Sequence, residues 1–91
     1  MFFVVSYDIA DDKRRNKVAR YLEDYGTRVQ YSVFEVICEK EMMDKIIDEL
    51  NEMIDTNEDS IRIYYLCNNC ILKVGILGCG EVTRDFEVYI V

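Results

Sequence analysis

The sequence predicts an α+β domain in which two helices cover one face of a single sheet. Short runs rich in β-branched and aromatic residues fall at 2–7, 28–38 and 60–67, and two stretches of helical period, 11–25 and 43–54, separate them. The links between these runs are only a few residues long, which suits a split βαβ, or ferredoxin-like, βαββαβ sheet with both helices on the same side. Two further short strands, 72–78 and FEVYIV at 86–91, have no obvious place in four strands and are expected to pair across a homodimer. The 91 residues fit one domain, 1–91. A chain of this size buries only roughly 60–65% of its unfolded surface, so a partner subunit would strengthen a modest core.

Each element has its own signal. FFVVSY, 2–7, shows no polar alternation before Ser6 and reads as a central strand closed by Asp8. Asp11 can cap a helix with Val18, Leu22 and Tyr25 on one face and Gly26 as its C′ residue. RVQYSVFEVIC, 28–38, reads as strand with an interruption near Tyr31 and Ser32, where the alternation loses phase; periodicity leaves open one bent strand or two short ones. In the second helix Met43, Ile46, Ile47, Leu50, Met53 and Ile54 form the apolar stripe, opposite Asp44, Asp48, Glu49 and Glu52. DTNED, 55–59, ends that helix and leads into SIRIYYLC, 60–67; a CNNC turn and LKVGILG, read as a short strand, follow.

Composition removes whole classes of function. The longest apolar run is five residues, too short to cross a bilayer. Met1 leads at once into a strand-like run in place of a secretory leader, so a cytoplasmic protein with reduced cysteines and no membrane attachment is expected. Histidine is absent, which excludes Ser-His-Asp triads, Cys-His dyads and imidazole zinc sites. Catalysis must therefore use carboxylates, hydroxyls, thiols or a metal. The net charge of −7 argues against nucleic acid. Yet residues 1–35 balance six cations against six acids, while 36–91 hold five cations against twelve acids, so a basic face on an acidic body is compatible with the sequence.

The candidate residues cluster early in the chain. Asp8 follows a strand at the point where the backbone leaves the sheet; it can bind Mg²⁺ through oxygen, or serve only as a turn residue. Lys13, Arg14, Arg15, Lys17 and Arg20 can contact phosphates, or form a solvated face compensated by Asp11, Asp12, Glu23 and Asp24. Arg28 begins the next strand near the same end of the sheet. Ser32, with no histidine base, suits a phosphate donor better than a nucleophile. Phe34 can stack on a base or belong to the core. Cys67 and Cys70 have the spacing of a redox dithiol or half a zinc site, with Cys79 as a third ligand, although buried or turn cysteines are the default.

Taken together, VVSYDIADDKRRNKVARYLEDYG, RVQYSVFE, IRIYYLC and KVGILG resemble the small universal CRISPR-associated adaptation nuclease family, the second Cas protein and partner of the CRISPR integrase. The resemblance implies a ferredoxin-like homodimer with the two copies of Asp8 close together. It also implies a Mg²⁺-dependent endonuclease or endoribonuclease on RNA or DNA that takes part in spacer acquisition and braces DNA between integrase subunits. Carried over by position, Asp8 is the catalytic, metal-binding acid and Tyr7 its aromatic neighbour. Arg15 and Arg28 are substrate contacts, and Lys17 stands where some members have arginine; Ser32 and Phe34 support the site. Arg14, read from the basic helix itself, is a further nucleic-acid contact. A non-catalytic DNA scaffold of the integrase complex and a stand-alone mRNA-cleaving toxin stay open as alternatives.

Overall fold

The computed structural model describes residues 1–84. Its elements run β1 (Phe2–Asp8), α1 (Asp12–Glu23), β2 (Thr27–Gln30), β3 (Val33–Ile37), α2 (Lys40–Met53), β4 (Ser60–Leu66) and a single turn, α3 (Asn68–Ile71). The sheet order is β2-β3-β1-β4, antiparallel throughout. This is the predicted ferredoxin-like arrangement: β1 is central because its uninterrupted apolar run can be covered on both edges.

Alternation along β1 sends Phe3, Val5 and Tyr7 to one face, where they meet Phe34 and Val36 of β3 and the stripes Val18, Leu22 of α1 and Met43, Ile46, Leu50 of α2. Both helices therefore lie on that face. Ile47 sits at the margin of the α2 stripe and stays 38% exposed, so the stripe is narrower than its sequence suggests. The opposite face carries Val4, Ser6 and Asp8 beside Val33, Glu35 and Ile37 of β3 and Ser60, Arg62 and Tyr64 of β4. Neither α1 nor α2 covers it; at the Phe2 and Ile37 end the α3 turn and the segment after it line a hollow against it. At one end Thr83 donates from its amide (3.1 Å) and hydroxyl (2.6 Å) to Glu35 Oε1, drawing the chain back over this face.

Local chemistry sets the boundaries. The Asp11 carboxylate accepts from the Arg14 amide at 2.9 Å and caps α1. Gly26 does not take the left-handed conformation expected of a C′ glycine. It is required by close approach: a Cβ there would lie 2.5 Å from the Glu35 carbonyl oxygen and 2.7 Å from Val36. The interruption in 28–38 resolves into two strands, a hairpin turning at Tyr31–Ser32 with a register shift between Arg28 and Gln30.

Residues 72–78, expected as a strand, are not one. The amides of Ile71, Leu72, Lys73 and Val74 are taken by carbonyls three or four residues back, and Gly75 and Gly78 weaken any extended run. The FEVYIV strand lies outside the described residues.

Candidate functional site

The site is built where β1 ends. Asp8 pairs with Ser60 of β4 and its side chain is exposed, while Ile9 is buried directly after it and anchors the loop into α1. Arg15 fastens the same loop: its Nη1 donates to the carbonyls of Ile9 (3.1 Å) and Ala10 (3.4 Å), and its Nη2 pairs with the Asp12 carboxylate. The guanidinium is thereby committed to holding the backbone behind Asp8.

On the other side of Asp8 stands the β2–β3 turn. The Tyr7 amide donates to the Ser32 carbonyl at 3.0 Å, and the Tyr7 hydroxyl donates to the Tyr31 carbonyl at 3.2 Å. Arg28 donates to that same carbonyl from Nε (3.0 Å) and Nη2 (2.7 Å). Its guanidinium also lies 5.8 Å from the centre of the Phe34 ring, within cation–π range. Tyr7 and Phe34 stack with ring centres 6.3 Å apart. One carbonyl thus gathers three donors, and two buried rings support them, so the turn beside Asp8 is rigidly placed. A shallow hollow lined by Arg28, Gln30, Tyr31 and Ser32 opens there, with Tyr31 92% exposed at its lip.

The Tyr31 carbonyl gathers Tyr7 and Arg28 at the turn that contains Ser32, whereas the Asp8 side chain leaves β1 on the face opposite Tyr7; other candidates take different parts. Phe34 is 0% exposed, so it cannot stack on a base; it is the floor beneath Tyr7 and Arg28. Arg14 makes a bidentate pair with Asp59 (2.8 and 3.2 Å), with Glu58 at 3.1 Å. The Asp59 side chain is fully buried. Hydrogen bonds from Arg14, then from the Asp55 amide, hold its carboxyl below the usual range, and the pairing raises Arg14 in turn. Arg14 therefore ties α1 to the turn before β4 through Nε and Nη2. Asp59, which that role requires, was not visible in the sequence, where it reads as one acid in a polar run.

Lys17 falls on a separate outward stripe. Lys13, Asn16, Lys17 and Arg20 line a shallow groove along exposed α1, and no ion pair engages the three cations among the described residues. The described residues contain no group of three or more Cys, Asp or Glu arranged to hold a metal, so Cys79 does not complete a site with Cys67 and Cys70.

An antiparallel βαββαβ sheet with two helices on one face and an exposed acid where β1 ends, between a pinned hairpin and a cationic helix, is a ferredoxin-like protein with a polar site at one sheet end. The family model described as CRISPR associated protein Cas2 matches residues 1–74. This chain belongs to that family. A Chloroflexus aurantiacus protein named CRISPR-associated endoribonuclease Cas2 3 is 44% identical to it over 91 residues, covering 100% of this chain and 98% of that one. Cas2 of Streptococcus pyogenes superimposes with a TM-score of 0.77 at 38% identity, covering 86% of this chain and 100% of that chain. A chain of a partial Cas6-RT-Cas1–Cas2 complex gives 0.73 at 29% identity, covering 90% and 98%.

Proposed function

We propose that residues 1–91 act as one domain of a cytoplasmic homodimer in CRISPR spacer acquisition, cleaving phosphodiester bonds in RNA or DNA with Mg²⁺ and working with integrase subunits. The observation that carries this reading is the placement of Asp8: an exposed carboxylate on a strand end whose flanking loop and hairpin are both pinned. Its relatives are named endoribonucleases and endonucleases, and one structural neighbour is part of a Cas1–Cas2 complex. No helix here is long and apolar enough to cross a membrane among the described residues.

One Asp8 cannot hold an ion by itself, and twofold pairing supplies the second carboxylate. The sheet face not covered by α1 and α2, with half-buried Val4 and Val33, supports such pairing. Bound Mg²⁺ supplies Lewis-acid polarisation of water and of the phosphodiester. The chain's own residues bind and orient. Two of Arg28's nitrogens are held by the Tyr31 carbonyl, which leaves Nη1 to direct its hydrogens toward a phosphate oxygen. The Ser32 hydroxyl is a second donor in the same hollow. Tyr7, buried and bonded through its hydroxyl, positions this group. Without histidine, protons leave to solvent water.

The second reading, a DNA-bracing scaffold without chemistry, is favoured by one observation: the uncommitted stripe Lys13, Lys17 and Arg20 lies outside the Asp8 site and can contact phosphates by itself. Cleavage of RNA and duplex DNA with and without Mg²⁺, run beside spacer integration with the partner integrase, separates the two. Under the nuclease reading Asp8→Ala abolishes cleavage; under the scaffold reading it leaves integration intact, while reversing the α1 stripe abolishes DNA binding.

A further inference from the structure

The CNNC segment takes no part in the Asp8 site. Cys67 and Cys70 are both exposed, and their sulfurs lie 3.5 Å apart in a thiol–thiol hydrogen bond. The turn that joins them is already closed: the Ile71 amide bonds to the Cys67 carbonyl (3.0 Å) and the Lys73 amide to the Cys70 carbonyl (3.0 Å). Bridging the sulfurs closes this 3.5 Å separation to a bond of about 2.05 Å. We propose that Cys67 and Cys70 form a thiol–disulfide exchange site that takes small-molecule disulfides and closes to an intramolecular disulfide.

The two sulfurs have different parts. Hydrogen bonds from the Cys70 amide and then the Cys70 thiol stabilise the Cys67 thiolate and lower its proton affinity, while the same contact raises that of Cys70. Cys67 is accordingly the attacking sulfur and Cys70 the resolving one. In the first step the Cys67 thiolate attacks one sulfur of the small disulfide, forms a mixed disulfide and expels one small thiolate. Cys70 then loses its proton and attacks Cys67 Sγ; the mixed bond breaks, the internal bond forms and the second small thiolate leaves. Two protein thiols are oxidised, one small disulfide is reduced to two thiols, and the two protons pass to the leaving thiolates through solvent. Cys38, half-buried, is raised chiefly by burial and is the internal control.

The test equilibrates the full chain with glutathione disulfide, blocks residual thiols by alkylation and maps the products by mass spectrometry. The expected product is a Cys67–Cys70 disulfide reversed by a dithiol reductant, with Cys38 still alkylated. Cys70→Ser should trap the mixed disulfide on Cys67, and Cys67→Ser should form it on Cys70 about tenfold more slowly. The proposal is overturned if both thiols stay alkylatable in excess glutathione disulfide, if only intermolecular disulfides appear, or if the two single variants react at equal rates.

Discussion

Replacing Asp8 with asparagine keeps the shape of an exposed side chain and removes its charge. Stability should change by no more than about 0.5 kcal/mol, while Mg²⁺-dependent cleavage is lost; thermal melting and a cleavage assay on the same preparation check both halves. Asp59 behaves oppositely. Its carboxyl is more acidic folded than unfolded, because Arg14 and the Asp55 amide stabilise the charge. It therefore stabilises the fold above the unfolded value of about 3.9, and that contribution is lost as pH falls through the lower folded value. Asp59→Asn should melt lower at neutral pH and lose less further stability on acidification, as melting temperatures across the acid range would report. Sequence spacing separates residues that face solvent from those that face the core, which is how Arg14 and Lys17 came to share one role. It does not disclose a partner 45 positions away, and that partner is what sets them apart.

The helix α1 carries two kinds of cation on one cylinder. Arg14 and Arg15 turn back to the protein, while Lys13, Lys17 and Arg20 remain outward. Reversing these three to glutamate should weaken binding to duplex DNA of any sequence. It should also flatten the salt dependence by about 2.7 in the slope of log affinity against log salt if each makes one phosphate contact, measured by fluorescence anisotropy titrations over a salt series. The melting temperature should move little, because none of the three touches the core. The stripes of α1 and α2 were legible because each repeats a helical period, β1 and β4 because they are runs of β-branched and aromatic residues, and the α1 start because Asp11 precedes its stripe. The hairpin was half legible: the lost phase at Tyr31–Ser32 marked a break, but no Asn-Gly or Asp-Gly pair announced a reversal. LKVGILG misled because an apolar run suggests a covered strand, whereas here Leu72, Val74, Ile76 and Leu77 are exposed and the amides of Leu72, Lys73 and Val74 are taken locally.

For the whole molecule, the sheet is two-sided and only one side is fully covered. Pairing of the open faces would bury Val4 and Val33 and join two Asp8 carboxylates at one rim. Val4→Glu should therefore shift sedimentation from dimer to monomer and abolish cleavage although Asp8 is untouched. The fold and the position of the candidate acid could be read from a single chain's sequence, whereas the twofold pairing proposed to complete a metal site would depend on a surface whose complement is another copy. The most direct measurement is cleavage of RNA and duplex DNA by the purified dimer, with Mg²⁺ and with the ion chelated, for wild type beside Asp8→Asn. Cleavage by wild type with Mg²⁺ alone, and none by the variant at unchanged dimer content, is the predicted result. Equal cleavage by both proteins, or cleavage indifferent to chelation, would contradict the assignment of Asp8 as the acid that holds the ion.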